Sequence, residues 1–201
     1  MRRDGGTRRF IMVQLPEPTD EGSAAREAGF DTIAEIGKER IRRVIARMQE
    51  EREGQLPLDG AADEDLGFKV FKLGPSTQKQ WIPPAGDDVD ALARQLELYD
   101  DGLQPDASET DILYEVLLKE GYDLHAAIQP IDVAGQRVYR IQEPDDDAEG
   151  RAFYACLEER LAEETVDALP LARETLFVCR DTALDDSLKT NLSLRCVLRA
   201  L

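Results

Sequence analysis

The chain has little of several residue types on which enzymes and membrane proteins depend. Its 201 residues include one histidine, His125, and three cysteines, Cys156, Cys179 and Cys196. A Ser-His-Asp or Cys-His catalytic arrangement would therefore need His125, and a histidine-rich zinc site is excluded. The cysteines are odd in number, lack metal-ligand spacing and lie in apolar contexts, which predicts buried, reduced thiols in a cytoplasmic protein. No apolar run approaches the roughly 18 residues of a membrane helix, so no membrane span is expected.

Positive charge is also scarce. Lys and Arg total 25 against 42 Asp and Glu, a formal net charge of −17, which argues against nucleic acid wrapping around the whole chain. The imbalance is uneven, because residues 1–52 hold 11 basic and 10 acidic side chains and the remaining residues hold 14 and 32. We therefore expect any nucleic-acid-facing surface in the first quarter and a solvated or protein-facing module in the rest.

The first quarter has the pattern of a strand followed by a helix. Residues 10–15 form a short apolar run closed by Pro16, which predicts a strand buried on both faces, as in a parallel sheet covered by helices. Thr32-Ile-Ala-Glu35 has the pattern of a capping box and predicts a helix from Thr32 through about Arg52. A second strand is predicted at residues 68–73, where Phe68 and Val70 share one face.

The second half predicts a small separate domain, and the acidic, Gly- and Pro-interrupted stretch at 100–106 is the expected boundary. Its first helix should begin after Ser108 or Thr110 and end at Gly121, with Glu115 and Lys119 on its solvated face. The predicted elements that follow are a hairpin at 127–133 and 137–141, a helix at 152–168, a strand at 175–180 and a helix at 185–198. Pro130 should restrict the first hairpin strand to a sheet edge.

Five strings of sequence carry a family resemblance. They begin with Asp4-Gly-Gly-Thr-Arg-Arg-Phe-Ile-Met-Val-Gln-Leu-Pro-Glu17 and Thr32-Ile-Ala-Glu-Ile-Gly-Lys-Glu-Arg-Ile-Arg-Arg43, and continue at 65–73, 111–124 and 185–191. In this order they closely resemble the modification subunit of type III restriction-modification systems, over nearly the whole chain. The resemblance implies a DNA adenine methyltransferase that transfers a methyl group from S-adenosylmethionine to the exocyclic amine of a flipped adenine.

Two motifs of that family do not occur in the sequence, namely its Phe-x-Gly-Ser-Gly donor loop and its Asp-Pro-Pro-Tyr catalytic motif. The chain is therefore expected to be the C-terminal portion of such an enzyme, inactive alone, and no catalytic residue is assigned. The expected fold is α/β: a remnant of a doubly wound methyltransferase sheet (strand-helix-strand) in residues 1–103, then a small α+β C-terminal domain in residues 104–201.

The resemblance also implies partners: DNA, a second modification subunit in a homodimer, and a restriction subunit, for which the acidic domain from about residue 104 is the candidate contact. The alternative comes from another class of protein, a non-catalytic assembly or protein-interaction module derived from such a subunit.

Gln14, at the carboxyl end of the first predicted strand, is the candidate cofactor-binding residue. In doubly wound sheets ligands lie beyond the carboxyl ends of strands, and the residue after the second strand typically contacts ribose hydroxyls. An amide can donate to or accept from such a hydroxyl, although without the charge of the acid that related methyltransferases often carry there. The competing interpretation is a turn residue that satisfies backbone groups.

Arg40, Arg43 and Arg47 fall on one stripe of the predicted helix and are the candidate DNA-binding residues, since they could contact phosphates. The competing interpretation, which we favour, is a solvated face paired with nearby glutamates at helical spacing. Asp181, Asp185, Asp186 and Lys189 suggest a metal or acid–base cluster, but capping of the last helix is the favoured interpretation. No metal site is predicted.

Overall fold

The computed structural model describes residues 10–53, 66–80, 89–90, 92–93, 101–144 and 150–201. The chain divides into two compact units, Met1–Phe68 and Lys69–Leu201. The predicted domain boundary at 103/104 stays a prediction, and the described residues 69–80 belong to the second unit. The helix predicted at 91–99 lies largely outside the described residues. None of the described helices combines the length and the apolar character needed to cross a bilayer.

The described residues of unit 1 form two helices, α1 (Ala24–Glu27) and α2 (Ile33–Glu53). The predicted helix α2 is confirmed, and so is its capping box. The Glu35 backbone N–H donates to Thr32 Oγ1 at 3.3 Å, while Glu35 Oε2 accepts the N–H groups of Asp31 at 2.8 Å and Thr32 at 3.3 Å. These bonds satisfy donors that the first helical turn leaves without partners, so the sequence itself fixes where α2 begins.

The predicted strand at residues 10–15 is wrong as a buried strand. The segment forms no ladder with any described residue, and Phe10, Ile11, Met12, Val13 and Leu15 are between 51% and 91% exposed. An apolar run becomes a strand only when neighbouring edges accept its backbone groups, and no described residue of unit 1 offers such an edge. Among the described residues that follow this segment, Pro18 and Thr32 form an isolated antiparallel β-bridge.

Unit 2 is built on a five-stranded sheet with the spatial order β1-β2-β3-β4-β5. The first two pairings are antiparallel and the last two are parallel. In chain order the elements are α3 (Glu109–Lys119), β1 (Ala127–Val133), β2 (Gln136–Gln142), β3 (Ala152–Cys156), α4 (Glu163–Ala168), β4 (Leu176–Cys179), α5 (Asp186–Arg195) and β5 (Val197–Ala200), with a 3₁₀ turn at Asp181–Ala183. The expected mixed α/β class is confirmed, whereas the remnant of a doubly wound methyltransferase sheet in residues 1–103 stays a prediction.

The helices of unit 2 cover opposite faces of the sheet, so this unit has three layers. On one face α3 packs through its buried stripe onto one set of alternating strand residues, which includes Phe153 and Val178. On the other face α4 and α5 pack onto the intervening residues, which include Phe177 and Cys179. Side chains alternate across a strand, and strands β3 and β4 are covered on both faces. Full burial of each large apolar side chain contributes roughly 1.5–3 kcal/mol.

Several local predictions for this unit are confirmed. Ser108 caps α3 by accepting the Asp111 N–H at 3.1 Å. The hairpin turns at Ala134 and Gly135, whose φ angles of 52° and 81° are those of a type I′ turn. Glycine adopts such a positive φ without strain, as at Gly135. Pro130 lies in the edge strand β1, where its missing N–H costs no ladder bond. The strand predicted at 175–180 is β4.

Three further predicted elements are wrong in whole or in part. Residues 152–168 form β3, a loop and the short helix α4, because residues 152–156 pair with a strand on each side. The helix predicted at 185–198 ends at Arg195, and the last residues become β5 against β4. Residues 68–73 form no strand, and the side chains of Val70, Phe71 and Leu73 are exposed. For residues 152–156 and 197–200, pairing with distant residues, which sequence patterns do not report, decided the outcome.

Candidate functional site

Gln14 lies in the exposed extended segment before α1. Its side-chain amide Nε2 donates to the neighbouring carbonyl oxygen of Leu15 at 3.1 Å. That contact is the kind expected of a residue that satisfies its own backbone. The side chain of Gln14 is exposed, and its role toward a cofactor stays a prediction.

Arg40, Arg43 and Arg47 are exposed on α2. Arg43 Nε lies 2.8 Å from Glu39 Oε1 and Arg47 Nε lies 3.3 Å from Glu51 Oε1, both at the i,i+4 spacing. Arg40 has no ion-pair partner among the residues that the structure describes. Exposed pairs of this kind contribute between zero and about 1 kcal/mol, so they would not prevent the guanidinium groups from contacting phosphate.

The acidic residues around α5 serve the helix. Asp185 Oδ1 accepts the Leu188 N–H at 2.7 Å and is the N-cap, while Lys189 Nζ bonds to Asp181 Oδ1. Within the described ranges, no group of three or more His, Cys, Asp or Glu side chains is placed to hold a metal ion. These contacts agree with the capping interpretation.

His125 and the three cysteines have no arrangement for nucleophilic chemistry. His125 is exposed, with Nδ1 3.3 Å from Asp123 Oδ1 in the turn before β1. All three cysteines are free and buried, as predicted. They belong to the apolar cluster beneath α4 and α5. Burial raises the pKa of each thiol, that of Cys179 to about 12, so all three stay protonated at neutral pH and are poor nucleophiles.

Glu115 was expected on the solvated face of α3, and that expectation is wrong. Its side chain is only 16% exposed, because residues 76–77 lie over it. Oε1 accepts from Ser76 Oγ at 2.6 Å and lies 2.7 Å from Lys119 Nζ, while Oε2 accepts the Thr77 N–H at 2.6 Å and the Thr77 hydroxyl at 2.5 Å. The i,i+4 spacing of Glu115 and Lys119 could have indicated their pair, but no local signal points to Ser76 and Thr77.

Two further contacts of residues 69–80 involve Tyr114 of α3 and the turn after this helix. Lys69 Nζ donates to the Leu124 carbonyl at 3.1 Å, and Phe71 packs edge-on against Tyr114 with ring centroids 5.0 Å apart. A bridge between Gln78 and Leu103 closes the segment. Residues 69–80 thus pack along α3 through hydrogen bonds and one aromatic contact. Glu115 accepts several of these hydrogen bonds, which indicates a structural role.

A groove of about 240 Å³ lies between α4 and α5. Val166 and Leu188 form its floor, Leu194 one wall, and Glu163, Asp167 and Arg195 its polar rim. Asp167 Oδ1 accepts from Arg195 Nη1 at 2.6 Å. Small-molecule and cofactor sites usually enclose about 300–1,000 Å³, so this groove is small and shallow for a cofactor.

Comparison with known proteins finds similarity over part of the chain. The sequence is 34% identical over 89 residues to the type III restriction-modification enzyme StyLTI Mod subunit of Salmonella typhimurium, covering 44% of this chain and 12% of that protein. It is 29% identical over 131 residues to the type III restriction-modification enzyme EcoP15I Mod subunit of Escherichia coli, covering 65% of this chain and 17% of that protein.

The matched segments thus span less than a fifth of the length of either curated relative. The resemblance to modification subunits that the motifs predicted is confirmed by these two relatives. No family model matches the chain, and no solved structure matches it.

Proposed function

We propose that the chain is part of a type III modification subunit and that the intact enzyme methylates adenine in DNA with S-adenosylmethionine. The observation that carries this proposal is the similarity of 34% over 89 residues to a Mod subunit. The mixed α/β fold is compatible with it. The adenine specificity and the role of the fragment come from the motif resemblance alone.

The described residues do not fit S-adenosylmethionine by themselves. Gln14 is exposed, and its amide is hydrogen-bonded to the neighbouring Leu15 carbonyl. We therefore expect this chain alone to bind the cofactor no tighter than roughly tens of micromolar. Isothermal titration of the 201-residue chain with S-adenosylmethionine is the measurement. Tighter binding, lost in Gln14→Ala, would show that a cofactor site is already built here.

DNA contact through α2 is the part of the proposal that this chain can test directly. Because Arg40, Arg43 and Arg47 are exposed along one side of the helix, each could neutralise one phosphate. Each such contact adds about 0.9 to the slope of log affinity against log salt. Arg42 is a matched control, since it is also exposed on α2 but lies roughly 100–160° around the helix from that stripe.

Fluorescence anisotropy with a short labelled duplex at low salt is the assay. The triple variant Arg40→Gln/Arg43→Gln/Arg47→Gln should lower the salt slope by about 2 to 3, and Arg43→Gln should weaken binding more than Arg42→Gln. If the wild-type chain binds no DNA at low salt, or if Arg42→Gln and Arg43→Gln weaken it equally, the arginine stripe is a solvated face and this part of the proposal fails.

The second candidate function is a non-catalytic assembly module. Unit 2 favours it, because that unit has its own two-sided apolar core, as a separate module requires. We propose that its acidic surface contacts a restriction subunit and that a second modification subunit completes a dimer. The buried free thiols support a cytoplasmic location.

Reconstitution separates the two candidates. The chain should be mixed with a polypeptide from the same locus that carries the donor loop and the Asp-Pro-Pro-Tyr motif, if such a polypeptide is encoded there, and methyl transfer to DNA measured. Activity that requires both components would support a contribution to the methyltransferase. A tagged full-length chain that retains the restriction subunit without restoring any methyl transfer would favour the assembly module.

A further inference from the structure

We infer that the groove between α4 and α5 is a docking site for a basic amphipathic helix of another protein. This inference goes beyond the proposed function and does not depend on DNA contact by α2. It rests on three observations: an apolar floor flanked by two helices, an exposed leucine on its wall, and an excess of carboxylates on its rim.

The floor and wall are apolar although the groove opens to solvent. Val166 and Leu188 are nearly fully buried at its base, whereas Leu194 is 70% exposed on α5. The lining residues Leu188, Asn191 and Leu194 recur at every third position, so they lie on one side of α5. On α4, Glu163 and Val166 have the same spacing. Two helical faces that line one groove form a geometry suited to a third helix.

The size of the groove decides between classes of ligand. At about 240 Å³ it is below the range of small-molecule sites, but it can receive an aliphatic side chain that projects from a helix. This aliphatic side chain, the anchor of the docked helix, would cover the exposed face of Leu194 and contact Val166 and Leu188 on the floor. The occupant is therefore a peptide segment with an aliphatic anchor rather than a cofactor.

The rim decides the charge of the occupant. Helix α4 carries three carboxylates, Glu163, Glu164 and Asp167, and no basic residue. Asp167 is paired with Arg195 at 2.6 Å, whereas Glu163 and Glu164 have no ion-pair partner in the part of the chain that the structure describes. Of these two, Glu163 lines the groove and Glu164 is its neighbour on α4. A helix with Lys or Arg one turn from its aliphatic side chain would place a cation beside Glu163.

The test uses the 201-residue chain and two synthetic amphipathic helices, one of Leu, Ala and Lys and the other with Glu in place of each Lys. The lysine peptide should bind and the glutamate peptide should not, as measured by isothermal titration and by NMR shift changes at the amides of α4 and α5. Leu194→Ser should weaken binding by about tenfold. Glu163→Gln/Glu164→Gln should weaken it by about threefold and reduce its salt dependence.

Two control variants on the opposite layer match these changes. Leu118→Ser replaces a leucine that is 64% exposed on α3, and Asp106→Asn removes an exposed carboxylate just before α3. Both should leave the affinity within about twofold, because α3 covers the other face of the sheet.

Three results would overturn the inference. The wild-type chain could fail to bind the lysine peptide, Leu118→Ser could weaken binding as much as Leu194→Ser, or both peptides could bind equally. Analytical ultracentrifugation adds a further outcome. If Leu194→Ser reduces self-association of the chain while neither peptide binds, the groove is an interface between copies and the inference is wrong.

Discussion

Replacing Glu115 by glutamine should loosen residues 76–77 from α3. Both carboxylate oxygens accept from two donors, Oε1 from Ser76 and Lys119 and Oε2 from the N–H and hydroxyl of Thr77. An amide of the same shape would turn its two hydrogens toward one of these donor pairs. At least the bonds at that position would then be lost.

The expected magnitude follows from the pKa of Glu115. Burial alone would raise this pKa, but the donors of Lys119, Ser76 and Thr77 outweigh burial and lower it from 4.5 to about 2. One pKa unit corresponds to about 1.36 kcal/mol, so the ionised carboxylate stabilises the folded state by up to about 3 kcal/mol at neutral pH. Because the pKa is lower in the folded state, this stabilisation is complete above a pH of about 4.5 and is lost as the pH falls through about 2.

Urea unfolding at a series of pH values is the assay, with hydrogen exchange of the Thr77 amide as a local probe. Glu115→Gln should lower the free energy of unfolding by about 2–3 kcal/mol at pH 7, and the difference from wild type should shrink on acidification below pH 4.5. Glu120→Gln is the control. The Glu120 side chain is 21% exposed, close to the 16% of Glu115, and among the described residues its ion pair is with Arg199 at 2.7 Å. Loss of this exposed pair should cost about 0.5 kcal/mol.

The reasoning is refuted if Glu115→Gln costs no more than Glu120→Gln at neutral pH. It is also refuted if the cost of Glu115→Gln is independent of pH between 7 and 2, because the carboxylate charge would then contribute nothing to holding residues 76–77 on α3.

Three further predictions concern unit 2. Leu117→Ala should lower the free energy of unfolding by about 3 kcal/mol, because Leu117 is fully buried. Leu118→Ala, on the exposed side of α3, should change it by less than about 0.5 kcal/mol, and urea unfolding measures both. Asp185→Ala should cost about 1 kcal/mol through the lost cap, and Asp186→Ala should cost less in the same assay. Burial raises the pKa of Cys179 to about 12, so at about pH 8 Ellman's reagent should label this thiol no faster than the protein unfolds; rapid labelling would contradict its burial.

What could be predicted from the sequence is what neighbouring residues decide among themselves. The Thr32–Glu35 capping box, the Ser108 cap and the glycine turn at Gly135 each involve residues within four positions of one another, and the structure contains all three. Their physical cause is local, since each satisfies backbone groups or permits a positive φ. A pattern that spans a few residues is enough to locate them.

The predictions that failed concern structure that depends on contacts between residues far apart in the chain. Residues 152–156 have apolar content compatible with either a helix or a strand, and only pairing with β2 and β4 decides for a strand. Strand β5 likewise exists because β4, about 20 residues earlier, offers a parallel edge. Glu115 meets Thr77 across 38 positions. The candidate residues Gln14, Arg40, Arg43 and Arg47 were placed by pattern and resemblance, and the structure shows their positions without testing their roles.

The contrast between the two units predicts where the stability of the chain resides. Unit 2 buries large side chains such as Phe153 and Phe177 completely, whereas no described residue of unit 1 is buried. Helix α2 has 21 residues and an apolar stripe in which Ile33, Ile36 and Val44 are more than a third exposed. An isolated helix is only marginally stable in water, and most helical stability in proteins comes from packing of the apolar face. Urea unfolding should therefore report mainly on unit 2.

Hydrogen exchange can test this difference directly. Amides in the middle of α2 should have protection factors that are a small fraction of those in β4. The reason is that local opening of an uncovered helix exposes little additional apolar surface. Equal protection in α2 and β4 would contradict the argument and would mean that another surface covers the α2 stripe in solution. A concentration dependence of that protection would then identify a second copy as the cover, because a monomeric chain protects its amides equally at every concentration.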